Sequence, residues 1–133
     1  MVNQRSPLLP PKSEAQEQRE LATWLDHIGL CWFHPANEGR RTPRQGAMLK
    51  AQGMKSGVPD VVILSKPPKA PGARGVAIEL KVKGGKVSAA QDEFLRRMRN
   101  CEWLTYVCYG SSEAIRYLEQ LGYGYAPVVA ENG

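Results

Sequence analysis

The chain has 133 residues, 42% of them hydrophobic and 23% charged, which suits one compact domain with a core of its own. No apolar run approaches about 18 residues, so no membrane-spanning helix is expected, and the start (Met1-Val2-Asn3-Gln4-Arg5) leads into Pro-rich polar sequence, unlike a secretory signal. The net charge is +5, and the whole excess lies between Gly39 and Pro59, where Arg40, Arg41, Arg44, Lys50 and Lys55 stand with no Asp or Glu.

Residues 1–12 end in Pro7-Leu8-Leu9-Pro10-Pro11-Lys12 and read as a flexible N-terminal arm. Ser13 with Gln16 has the form of a capping box, opening a helix to about Ile28. Leu21, Trp24, Leu25 and Ile28 recur at helical spacing and mark its buried face, on which Glu14 and Gln18 also fall. Gly29 stops the helix. Leu30 to His34 is a short apolar and aromatic run, expected as a strand, with a turn over Pro35 to Gly39. The basic segment follows, and Arg44 to Gln52 has the pattern of a short helix.

Val61 to Leu64 is an unbroken apolar run behind Asp60, as expected of a central strand buried on both faces. Lys66 to Gly72 holds three prolines and reads as a hairpin loop. Arg74 to Lys83 alternates: Val76, Ile78, Leu80 and Val82 point one way, Glu79, Lys81 and Lys83 the other. Ser88 caps a helix to about Arg99, with Phe94, Leu95 and Met98 as its buried stripe and Gln91 on the same side. Trp103 to Tyr109 is a further strand. A last helix starts at Ser111 with Ile115, Leu118 and Leu121 inward, and Gly122 ends it. The expected fold is α/β, a mixed sheet flanked by helices in the order αβββαβ plus a C-terminal helix. Residues 13–122 form the domain and 123–133 a loose tail.

The chemistry concentrates in Asp60, Glu79 and Lys81. Two carboxylates brought together by adjacent strands suit a hard divalent cation, with the Leu80 carbonyl as a further oxygen ligand. Lys81 shares a strand face with Glu79, where it can steer a water or offset charge developing on phosphorus. Each residue alone has an ordinary structural explanation: a turn aspartate, a solvated charge pair, a helix-start acid at Glu14, a capping-box glutamine at Gln91. The basic segment points to an anionic partner, nucleic acid first. Cys31, Cys101 and Cys108 are odd in number and lack zinc-knuckle spacing, so free thiols of a reducing cytoplasm are expected.

The order of the motifs carries more than any one of them. His34-Pro35-Ala36-Asn37-Glu38-Gly39, Gly57-Val58-Pro59-Asp60, Ile78-Glu79-Leu80-Lys81 and Lys86-Val87-Ser88-Ala89-Ala90-Gln91 follow an acidic first helix. Over residues 13 to 122 this resembles the VRR-NUC family of the PD-(D/E)XK nuclease superfamily, in its small stand-alone form common in phages and prophages. The resemblance implies a restriction-endonuclease-like core and a Mg²⁺- or Mn²⁺-dependent DNA endonuclease that hydrolyses phosphodiesters by metal-activated water. It implies metal ligands at Asp60, Glu79 and the Leu80 carbonyl, a catalytic Lys81, and Gln91 and Glu14 as further site residues. Glu17 competes with Glu14, and Asn37 matches a recurrent Asn. Arg40, Arg41, Arg44, Lys50 and Lys55 would bind the DNA backbone. Homodimers acting on branched DNA, such as Holliday junctions, in a bacterial host cytoplasm are the implied setting. The alternative is a DNA-binding or phage assembly and packaging module that keeps the fold without the activity.

Overall fold

The computed structural model describes residues 9–36 and 41–124. Along these run α1 (Glu14–His27), β1 (Trp32–Phe33), α2 (Pro43–Ala51), β2 (Val61–Ile63), β3 (Val76–Lys81), α3 (Ala89–Asn100), β4 (Leu104–Tyr109) and α4 (Ser111–Gln120). Both expected capping boxes form: Ser13 with Gln16 opens α1 and Ser88 with Gln91 opens α3. A third, Thr42 with Gln45, opens α2, so this helix stands between β1 and β2 in addition to the expected order.

The sheet has the strand order β1-β2-β3-β4, with β1–β2 and β2–β3 antiparallel and β3–β4 parallel. It is therefore mixed, as expected. The strands are shorter than their apolar patterns. β3 ends at Lys81 because the chain turns at once, the Gly85 N–H donating to the Val82 carbonyl at 2.8 Å. Val82 and Lys83 thus leave the alternating ladder.

Alternation along the strands gives the sheet two faces. Val61, Ile63, Val76, Ile78, Leu80 and Cys108 pack with Leu21 and Leu25 of α1 and Ala114 and Leu118 of α4 in the main core. Tyr106 and Tyr117 stack above it, ring centroids 5.0 Å apart. On the opposite face lie Glu79, Lys81 and Thr105, with α3 alongside: Arg99 donates to the Thr105 hydroxyl at 2.8 Å. All three residues of β2 are buried, as an interior strand requires.

The structure corrects two packing expectations. In α3 only Leu95 is buried; Phe94 and Met98 are half-buried and line an open groove instead of the core. Tyr123 does not begin a loose tail but closes the core, its hydroxyl donating to the Ser65 carbonyl at 2.5 Å. Among the described residues no helix is long and apolar enough to cross a membrane. Residues 1–8, Asn37, Arg40 and residues 125–133 lie outside the described part.

Candidate active site

Because β2 and β3 are antiparallel, the start of one meets the end of the other, and Asp60 arrives beside Glu79 and Leu80. Val61 pairs with Ile78, so continuing the register sets Pro59 opposite Leu80. Proline has no N–H and offers the Leu80 carbonyl no ladder bond. The Leu80 N–H donates instead to Asp60 Oδ2 at 2.7 Å. The Pro-Asp pair thus ends the ladder and fixes a carboxylate next to Leu80. His34, at the end of β1, contacts the Asp60 carbonyl through Nδ1 at 2.6 Å. A carbonyl only accepts, so Nδ1 carries the hydrogen.

Glu79 is 2% exposed. Its Oε2 accepts from Gln91 Nε2 at 2.8 Å and lies 3.4 Å from Lys81 Nζ. Its Oε1 is buried and has no hydrogen-bond partner. Burial first, then the charge of Asp60, pushes the Glu79 carboxyl up to about 8, with Lys81 pulling the other way. Burial also raises Asp60, opposed by the Leu80 N–H, by Glu79, and by the charges of His34 and Lys81.

Gln91 serves two elements with one side chain. Its Oε1 accepts from the Ser88 N–H at 2.9 Å, completing the capping box, while its Nε2 reaches Glu79. Gly57 lets α3 approach this closely. Its φ is +77°, and a Cβ there would fall 2.4 Å from the Ala90 carbonyl oxygen.

Asp60, Glu79, Gln91, His34 and Glu14 line one cavity of about 210 Å³. Glu14 and Gln18, expected on the buried face of α1, also line an adjoining cavity with Arg19, His34 and Asp60. Glu17 is turned elsewhere. Its Oε1 accepts the Ser111 N–H at 2.8 Å, supplying the N-terminus of α4 with the cap that Gly110 lacks. From sequence His34 carries no signal beyond a strand end, since it directly follows the short aromatic strand β1.

Among the described residues, no three His, Cys, Asp or Glu side chains cluster tightly enough to hold an ion by themselves. The donors that do converge are two carboxylates, Asp60 and Glu79, each anchored on one oxygen by a hydrogen bond. Oxygen donors of this kind, with an orphaned buried carboxylate oxygen, fit a hard divalent cation that keeps several waters.

The VRR-NUC domain pattern matches residues 12–112. The chain belongs to the VRR-NUC domain family. A solved structure described as a VRR_NUC domain protein superposes with a TM-score of 0.69 at 21% identity, over 85% of this chain and 90% of that one. At that identity the likeness concerns the fold. No curated protein matches the chain. VRR-NUC domains are generally nucleases, and membership gives the chain a nuclease-type, DNA-processing function.

In this VRR-NUC chain the basic segment does not scatter. Arg41, Lys50 and Lys55 line a cavity of about 290 Å³ together with Gly46, Ser56 and Gly57. Gly57 lines the acidic cavity as well, so the two adjoin. Arg44 is exposed on α2 and does not line the basic cavity.

Proposed function

We propose that the chain is a Mg²⁺- or Mn²⁺-dependent endodeoxyribonuclease with a PD-(D/E)XK core. The observation that carries this reading is the unequal treatment of the Glu79 carboxylate: one oxygen held by Gln91 and Lys81, the other buried without a partner beside Asp60. Burial and the neighbouring charge oppose ionisation of this carboxyl pair, a cost that a bound cation would offset.

Asp60, Glu79 and the Leu80 carbonyl would hold the cation, whose chemistry is to acidify a water and draw charge from a phosphoryl oxygen. Gln91 holds the Glu79 carboxylate and the Leu80 N–H holds that of Asp60, so neither must reorganise when substrate arrives. Lys81, 3.4 Å from Glu79 Oε2, is placed to hold the attacking water or to offset charge on the phosphoryl oxygens. Glu14 stands across the cavity as a further acceptor for a water. In-line attack on phosphorus with departure of the O3′ oxygen leaves 5′-phosphate and 3′-hydroxyl ends.

Arg41, Lys50 and Lys55, with Arg44 and Arg40 nearby in sequence, would hold the sugar–phosphate backbone without reading bases. A homodimer would bring two such sites to a branched substrate such as a four-way junction, one strand for each. Three free cysteines, two of them exposed, suit a reducing bacterial cytoplasm, the setting of a phage- or prophage-encoded enzyme.

The test is cleavage of labelled branched, flapped, single-stranded and duplex DNA with Mg²⁺ and with Mn²⁺. The parent chain cuts at least one of these; Asp60→Ala and Glu79→Ala do not. Cleavage surviving both changes would remove the site assignment. Salt-dependent binding with no cleavage at any metal concentration would identify a DNA-binding module instead.

A further inference from the structure

Beside α3 runs a groove of about 570 Å³ that the reaction just described does not use. Phe94, Met98 and Trp103 form its apolar wall, and exposed Lys55 and Arg97 also line it. Glu93 is the acid among its lining residues, and it is committed to Arg96 through two hydrogen bonds of 3.0 and 2.6 Å. The groove is thus aromatic in its wall and cationic in its balance. It is also continuous with the site: Lys55 and Ser56 line both groove and basic cavity, and Gly57 lines both basic and acidic cavities. Ala90, which lines the groove, precedes Gln91, which holds Glu79.

We infer that this groove is a base-binding subsite, which takes an unpaired nucleobase of the DNA strand whose backbone lies in the basic cavity. The inference rests on the DNA-processing reading of the acidic site and adds a substrate class to it: DNA with an unstacked nucleotide close to the cut. Three features select a base over a peptide or a second copy of the chain. The groove adjoins a cavity lined by Arg41, Lys50 and Lys55, so an occupant arriving through it carries negative charge. Its lining pairs aromatic rings with an arginine, the combination on which single-stranded bases stack. The neighbouring helix α2 is itself basic, which disfavours its docking against Lys55 and Arg97 in another copy.

The experiment is photo-crosslinking of the full chain, without metal, to oligonucleotides carrying 5-iododeoxyuridine at successive positions, unpaired in one series and paired in the other. Cross-links mapped by mass spectrometry are expected on the peptides of Phe94 or Trp103 for one unpaired position and not for its paired counterpart. In parallel, Phe94→Ala is expected to weaken binding of a single-stranded oligonucleotide at least about fivefold, the low end for one lost stacking contact, with blunt duplex little affected. Should that variant fail to fold, Arg97→Glu at an exposed position is read instead, with the same selective loss. Cross-links elsewhere, or equal effects on single strand and duplex, would overturn the subsite. So would a variant whose mass in solution halves while its single-strand affinity stays unchanged, because the groove would then belong to an interface between copies. The cross-linking needs no cleavage, so failure of the nuclease reading leaves it interpretable. DNA cut normally with no adduct in the groove removes this inference alone.

Discussion

Glu79 is held for a charge it does not comfortably carry. Its carboxyl is pushed up to about 8 by burial and by Asp60, against an ordinary value of 4.5. In the metal-free chain the unfolded state releases this proton near the ordinary value while the folded state keeps it. The contribution to stability is therefore full below about pH 4.5 and is lost as pH rises through about 8. Thermal unfolding of the metal-free protein is expected to give a lower midpoint at pH 8 than at pH 5. Glu79→Gln should flatten that dependence and raise the midpoint at pH 8; an unchanged wild-type midpoint across the window would show that the site tolerates the bare charge. Adding Mg²⁺ at pH 8 should restore the wild type and leave the variant where it was. Lys81→Met tests the other partner. It removes a counter-charge from Glu79 while deleting no core atom, so cleavage should fall about 10²–10³-fold with the fold intact, as judged by circular dichroism. A variant that cleaved at the parent rate would reduce Lys81 to a structural partner of Glu79. Gln91 shows how far sequence reaches here. Its spacing from Ser88 supported a capping box, and its place after Ile78-Glu79-Leu80-Lys81 supported a site residue. These looked like rivals, yet the amide has two ends and the structure uses one for each.

The helices were readable because their starts are written locally. Ser13-x-x-Gln16 and Ser88-x-x-Gln91 both form as capping boxes, and Thr42-x-x-Gln45 does the same for α2. Strand limits were harder, since an apolar pattern continues past the point where the chain turns, as at Val82. What pairs with what across the fold was least readable. Glu17 competed with Glu14 on the same helix, and only a contact to Ser111, 94 residues on, shows it capping α4. Phe94 has the periodicity of a core residue, yet it is only half-buried and lines an open groove. Gly57 belongs with these long-range cases: as part of Gly-Val-Pro-Asp it suggests a turn, but its neighbour is the start of α3. Gly57→Ala would drive a Cβ into the Ala90 backbone and strain a positive φ, moving α3 away and drawing Gln91 from Glu79. The expected cost is about 2 kcal/mol or more, read from denaturant unfolding, together with a marked loss of cleavage. Gly53→Ala is the control. Its φ of +108° carries similar strain, but nothing lies within 4 Å of the added Cβ, so it should keep Gln91 in place and retain activity. Equal losses in the two variants would mean that strain, and not the approach of α3, sets the effect.

The molecule separates its charges by place. Two acids occupy the end of the sheet, where Lys81 lies 3.4 Å from Glu79, and the basic segment gathers against them at Gly57. The position of the positive excess was visible in sequence as a run with no acid in it; its convergence on one cavity was not, because α2 and the loop after it had to fold back first. A substrate with phosphates at regular spacing can meet both regions at once, one phosphate at the acidic cavity and its neighbours in the basic one. Binding should then fall steeply with salt, since each neutralised phosphate releases counterions with a slope of about −0.9 in log K against log salt. Lys50→Gln is expected to reduce the magnitude of that slope by about one, and to weaken binding uniformly across unrelated DNA sequences. Arg116→Gln on α4 provides the comparison, since Arg116 lies over the Tyr117 ring, 6.0 Å from its centroid, and lines none of these cavities. Fluorescence anisotropy of a labelled duplex over a salt series, without metal, measures both. If Arg116→Gln lowered the slope as much as Lys50→Gln, the net charge would be acting from everywhere at once and the cavity would have no special part in it. A loss confined to Lys50→Gln would place the DNA backbone along the path from the basic cavity to Glu79.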